Sequence, residues 1–224
     1  MKKFGKPKQF FVVTLLLCLA LFTLGSFSGT LATRGYCNSN SVLDWKNVQA
    51  NAFASKYAPI LNFAAGEQFF PTVIEYHLTR SVLKEKLETG YNVIHTHPTA
   101  SVISLYSTEP SLYYLDNNLT GYQEIADDYG QAKATLGYTV YTRVVTTSQY
   151  FIVQYWFFYA FNPGTINQHE GDWEMIEIFL DLDETPLYAV YSQHFSGERA
   201  SWNDVEKIDT HPIVYVGLGS HASY

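Results

Sequence analysis

Cysteine is nearly absent. The 224-residue chain has two, Cys18 and Cys37, and Cys18 lies inside an apolar run. A disulfide framework is therefore excluded for the remainder. There is no C-x-x-C pair, P-loop, dinucleotide-binding glycine fingerprint, EF-hand loop or G-x-S-x-G elbow. These absences leave nucleotide hydrolysis, nicotinamide chemistry and α/β-hydrolase catalysis without their usual machinery. Positive charge is scarce as well, with 14 Lys+Arg against 21 Asp+Glu and a net charge of -7. No nucleic-acid partner is expected, because such partners call for a basic footprint. Charged residues make up only 16% of the chain, whereas 47% is hydrophobic and 17% aromatic, which excludes a disordered chain.

One long hydrophobic run stands out. Lys2, Lys3, Lys6 and Lys8 precede the uncharged stretch Phe10 to Leu24, and small residues follow up to Ala32. A basic start, a short apolar core and a small-residue exit make residues 1–32 a signal peptide or a signal anchor. The apolar core falls short of the ~20 residues that comfortably span a bilayer. The chain is expected to be secreted, or membrane-anchored through this segment with its domain outside. Without residues 1–32, 10 Lys+Arg face 21 Asp+Glu, a net charge of -11. An acidic exported domain without disulfides favours divalent cations.

Residues 33–56 read as a linker and a short helix, with Trp45, Val48, Ala52 and Phe53 at helical spacing. Residues 57–224 read as one domain. Val73 to Leu87 is predicted to be a helix, residues 101–107 and 111–115 to be strands, and Glu124 to Gly130 to be an acidic loop. From Gly137 on, β-branched and aromatic runs dominate. Tyr138 to Thr146 and Tyr150 to Tyr159 suit a hairpin, followed by strands at Trp173–Leu180, Leu187–His194 and Ile213–Val216. Antiparallel strands with short turns, and helices concentrated before them, predict a mainly β protein, an antiparallel β-sandwich.

The densest polar cluster is His169-Glu170-Gly171-Asp172-Trp173-Glu174. On a strand, Asp172 and Glu174 share one face, ~6.5–7 Å apart at Cα, and Trp173 takes the other. Two carboxylates with His169 beside them suit a divalent cation, calcium, magnesium or manganese. The competing readings are a solvated strand edge and a glycoside hydrolase using Glu170, Asp172 and Glu174. A structural or adhesive surface domain is a third reading, and no catalytic residue is assigned. Asn118 opens an Asn-Leu-Thr glycosylation sequon.

Several ordered stretches resemble the Vps62-related (DUF946) family. They are Tyr57-Ala-Pro-Ile-Leu, Glu67-Gln-Phe-Phe-Pro, Tyr155-Trp-Phe-Phe-Tyr, the motif at His169, Tyr191-Ser-Gln-His194, His211-Pro-Ile-Val-Tyr-Val and Gly219-Ser-His221-Ala. The resemblance implies further strands beyond Tyr224. More distantly, His169-x-x-Asp172-Trp173-Glu174 resembles the heptapeptide of the necrosis-inducing NPP1-like proteins. That likeness implies a secreted β-sandwich with a cation held by His169, Asp172 and Glu174. The family's upstream acidic ligand falls on Asn162 and its second motif histidine on Gly171. Both departures count against membrane-damaging activity and leave the cation site standing. His194 and His221 are expected to ring the same pocket, with Glu170 and Trp173. The expected ligand is a glycan or a lipid headgroup. His95 and His97 read as a surface strand, His211 as part of a turn, and His77 as helical with no role.

Overall fold

The computed structural model describes residues 45–224, apart from residues 110, 165–166 and 194–195. The expected signal segment, both cysteines and the linker up to residue 44 lie outside the described residues. Within them the elements run α1 (Trp45–Lys56), β1 (Ile60–Phe63), α2 (Glu75–Leu78), β2 (Ser81–Lys86), β3 (Tyr91–Thr96), α3 (Ala100–Ser104) and β4 (Tyr113–Asn117). Then follow α4 (Gly121–Leu136), β5 (Tyr141–Thr146), β6 (Phe151–Asn162), β7 (His169–Leu180), β8 (Pro186–Gln193), β9 (Ser196–Ser201), β10 (Lys207–Ile208) and β11 (His211–Val216). The fold is mainly β, with antiparallel-rich sheets, and the described helices all precede β5, as the sequence predicts. Among the described residues no helix is long and apolar enough to cross a membrane.

Among the described residues three sheets form, in the orders β1-β11-β10, β3-β2-β4 and β5-β6-β7-β8-β9. One pairing departs from the antiparallel expectation: β1 lies parallel to β11, with Ile60 opposite Ile213. The chain divides into two compact units. Among the described residues the first comprises 45–67, Val140–Trp156 and Glu174–Tyr224, and the second Gln68–Thr139 and Phe157–Trp173. Strands β6 and β7 contribute to both.

In the first unit, α1 is tied to β6 by Tyr155, whose hydroxyl donates to Ala54 O at 3.0 Å. The Phe53 ring packs on Phe151, and Tyr57 meets Trp202 edge-on. Buried Ile176, Ile178 and Leu180 alternate with less buried neighbours along β7. That is the period of a half-buried strand.

In the second unit, β6 changes character. From Phe157 to Asn162 every residue is buried, so alternation gives way to a strand covered on both faces. Phe69, Tyr76, Ile125 and Tyr129 complete this core.

Three local expectations are corrected here. The helix predicted over Val73–Leu87 is only α2, after which the chain becomes strand β2. Ser81 and Leu83 alternate inward there, and β2 pairs with β3 on one side and β4 on the other. Those pairings override a weak helical spacing. The stretch 101–107 begins in helix α3 instead of a strand, because Thr99 caps it by accepting from Val102 N. The predicted acidic loop is part of helix α4. Ile125 and Tyr129, four apart, bury one stripe of it. Glu124 caps the start by accepting from Thr120 N at 2.6 Å, where negative charge suits a helix N-terminus. Asp128 accepts from the Tyr76 hydroxyl at 2.8 Å and from Arg80 Nε at 2.5 Å.

Candidate functional site

The motif opens β7 with the expected facing. Asp172 is 6% exposed and Glu174 5%, whereas Trp173 between them is 44% exposed. One residue earlier the alternation breaks. Gly171 has φ +64, a left-handed conformation that glycine adopts without strain.

This bend sends Glu170 elsewhere. Its Oε2 accepts from Asn117 N, at the end of β4, at 2.6 Å. Burial pushes the Glu170 carboxyl above its ordinary pKa, and the Asn117 hydrogen bond partly offsets that. Glu170, Asp172 and Glu174 therefore do not form the single row of carboxylates on one strand face that the hydrolase reading requires.

Asp172 is held from two sides. Asn162 Nδ2 donates to Asp172 Oδ2 at 3.0 Å, and His169 Nε2 lies 3.3 Å from Asp172 Oδ1. The imidazole is oriented by Asn167, whose carbonyl oxygen lies 2.9 Å from His169 Nδ1. A carbonyl only accepts, so Nδ1 carries the ring proton. Nε2 and Oδ1 are then two acceptors facing each other, and a cation or a second proton has to lie between them. An imidazole nitrogen and a carboxylate oxygen are donor types that a divalent cation takes.

Asn162 does not fit as a ligand in this orientation. Its Oδ1 accepts from Gly164 N at 2.8 Å, which leaves the amide nitrogen toward Asp172. The carboxamide orients Asp172 and does not offer an oxygen. In the first unit, Glu174 Oε2 accepts from the Ser192 hydroxyl, whose oxygen accepts from Met175 N at 2.9 Å. Among the described residues, no three His, Cys, Asp or Glu side chains are gathered as a metal cluster.

His194 lies outside the described residues. His221 is 0% exposed, in the first unit, with Nε2 3.5 Å from Glu67 Oε1. His211 begins β11, and its Nδ1 faces Ala58 O at 2.7 Å. His95 is exposed on β3, and His97 lies just past it at φ +50. Asn118 is exposed directly after β4. The Trp173 ring rests on Phe158, with centroids 5.1 Å apart.

Sequence reasoning assigned no role to Glu67 or His77. Glu67 was visible only as part of the Glu67-Gln-Phe-Phe-Pro stretch. His77 is a buried helical histidine, and desolvation lowers its pKa to about 4. Its unfolded value is higher, so between pH 6.5 and 4 the unfolded chain binds the extra proton. Stability is full above pH 6.5 and falls as pH drops through that window, by up to ~3 kcal/mol. Urea unfolding across pH 4 to 7 should show this slope, and His77→Phe should flatten it.

The fold and motif define a mainly β protein in which a part-exposed imidazole meets a buried carboxylate at the head of a long strand. Residues 35–224 match the family of vacuolar protein sorting-associated protein 62, Vps62, and the chain belongs to that family. No curated protein matches it. Among solved structures it is similar to Necrosis and Ethylene inducing Protein 2 from the causal agent of cocoa's Witches Broom disease. Identity is 16%, covering 76% of this chain and 65% of that one, with a TM-score of 0.42. NLPPya, solved in complexes with glucosamine and with mannosamine, is 15% identical, with 78% of this chain and 65% of that one covered and a TM-score of 0.44. The chain thus spans 65% of the length of each.

Proposed function

We propose that this Vps62-family protein is an exported, divalent-cation-dependent binding module whose ligand is a glycan or a lipid headgroup. The observation that carries the reading is the approach of an imidazole nitrogen, His169 Nε2, to a carboxylate oxygen, Asp172 Oδ1, at 3.3 Å. A bound ion would supply open positions for ligand oxygens. His169 and Asp172 would hold it, and manganese suits a mixed nitrogen and oxygen set better than calcium or magnesium. Asn162 and Asn167 keep the carboxylate and the ring in place. The excess of carboxylates over basic residues favours cations generally.

Manganese at 100 times its dissociation constant should stabilise the full chain by ~2.7 kcal/mol, which is about 5–10 °C in Tm. Asp172→Asn with Glu174→Gln should remove that shift in a thermal melt. An equal shift in the double variant would sink the site assignment. Flotation with phospholipid vesicles and pull-down on immobilised polysaccharide, each with and without manganese, separate the two ligand sources.

A further inference from the structure

The sheet β3-β2-β4 of the second unit buries one face and opens the other. Strand β2 lies in the middle, and its Ser81 and Leu83 are buried. Lys84 and Lys86 alternate to the outer face. Lys84 stands opposite Tyr114 on β4 and Val93 on β3, and Lys86 stands opposite Tyr91. Residues opposite each other on paired strands share a face. Tyr91 is 52%, Val93 55% and Tyr114 41% exposed. Two rings and a valine thus crowd a surface that antiparallel sheets usually give to polar residues, and such a patch marks an interaction site.

The face is also set in place before any ligand arrives. The Lys84 ammonium lies 3.9 Å from the centroid of the Tyr91 ring, and it pairs with Asp116, which stands opposite Val82 on the same face. A cation seated against a ring fixes that ring and lowers the ordering cost of a ligand stacking on it. Asp116 matches the charge of Lys84. Lys86 is exposed and makes no ion pair among the described residues. The outer face therefore carries one unmatched positive charge, in a chain whose net charge is -7.

Tyr91 and Tyr114 are two strand spacings and two residues apart, roughly 12 Å at Cα. A short oligosaccharide spans that distance and a single sugar does not. Tyrosine suits such a ligand, with an apolar ring for the C–H face of a pyranose and a hydroxyl for its oxygens. Lys86 complements a sugar that bears a carboxylate. One lysine is not the basic track that a nucleic-acid strand needs. We propose that this face binds a uronate-bearing polysaccharide, with sugar rings on Tyr91 and Tyr114 and a carboxylate at Lys86. The site does not depend on the cation reading above.

Calorimetry of oligogalacturonate with the full chain tests this. A chelator is kept present, which removes any contribution from a cation at His169 and Asp172. Wild type should bind, and fragments of several sugars should bind more tightly than the monomer. Tyr91→Ala and Tyr114→Ala should each weaken binding about 10-fold, with Tm near wild type because both rings face solvent. Lys86→Gln should weaken binding and flatten its salt dependence. No binding by wild type, or wild-type affinity in the Tyr91→Ala/Tyr114→Ala double variant, would overturn the inference and leave the cation reading intact. Phospholipid-vesicle flotation that the double variant loses, with no oligogalacturonate binding by wild type, would also overturn it and give the face to a membrane.

Discussion

Phe158→Ala should cost ~3–5 kcal/mol of stability, the usual range for emptying a buried aromatic site. In a chain of this size that lowers Tm by roughly 6–20 °C. Phe158 lies where β6 is buried on both faces, so no solvent-exposed side exists into which neighbours could relax. Its ring touches Trp173 and His77, and its Cε2 lies 3.3 Å from the Cβ position of Gly171. Its backbone is committed too, because Phe158 O accepts from Thr72 N at 2.9 Å. Truncation would leave a cavity directly beneath the bend of the motif. Urea unfolding would measure the loss, and a value below ~1 kcal/mol would contradict this account of the second unit's core.

Glu67→Ala should be comparably damaging, again by ~3–5 kcal/mol. Glu67 is nearly buried and works with both oxygens. Oε2 accepts from Gly219 N at 2.8 Å, and Oε1 lies 3.5 Å from His221 Nε2. His221 has no solvent exposure and sits at φ +54, a conformation that non-glycine residues hold only when their surroundings enforce it. The turn is further closed by His221 N donating to Gly217 O and Gly217 N to Ala222 O, both at 2.9 Å. Removing the carboxylate leaves the Gly219 N–H and the imidazole buried without that partner. Glu67→Gln retains an oxygen for Gly219 and should cost less, about 1–2 kcal/mol. A chemical-denaturation series ranking wild type above Glu67→Gln above Glu67→Ala would support this. Equal losses in both variants would assign the effect to charge alone.

The strand-rich half of the fold is legible because its signals are local. The runs from Tyr138 onward are β-branched and aromatic, and they become β5 through β8 nearly at the residues expected. The facing of Asp172, Trp173 and Glu174 follows from a period of two and is observed. What sequence could not show depends on partners distant in the chain. Strand β2 exists because β3 and β4 flank it, which the residues of Val73–Leu87 do not disclose. Helix α4 hides behind its carboxylates, of which Asp128 is held by Tyr76 and Arg80, distant in the chain. Glu170 reads as a neighbour of Asp172 until the φ of Gly171 turns it to Asn117. Asn162 was expected to offer an oxygen, and Gly164 N occupies that oxygen. Nothing near His77 in sequence marks its approach to Gly171.

The most direct test of the cation site is manganese stoichiometry of the full chain by metal analysis and spin resonance after dialysis. The site predicts one manganese ion per chain at saturation, with line broadening of the His169 ring resonances, and loss of that ion in Asp172→Asn/Glu174→Gln. A wild-type chain without manganese, or a double variant that retains it, would contradict the cation site.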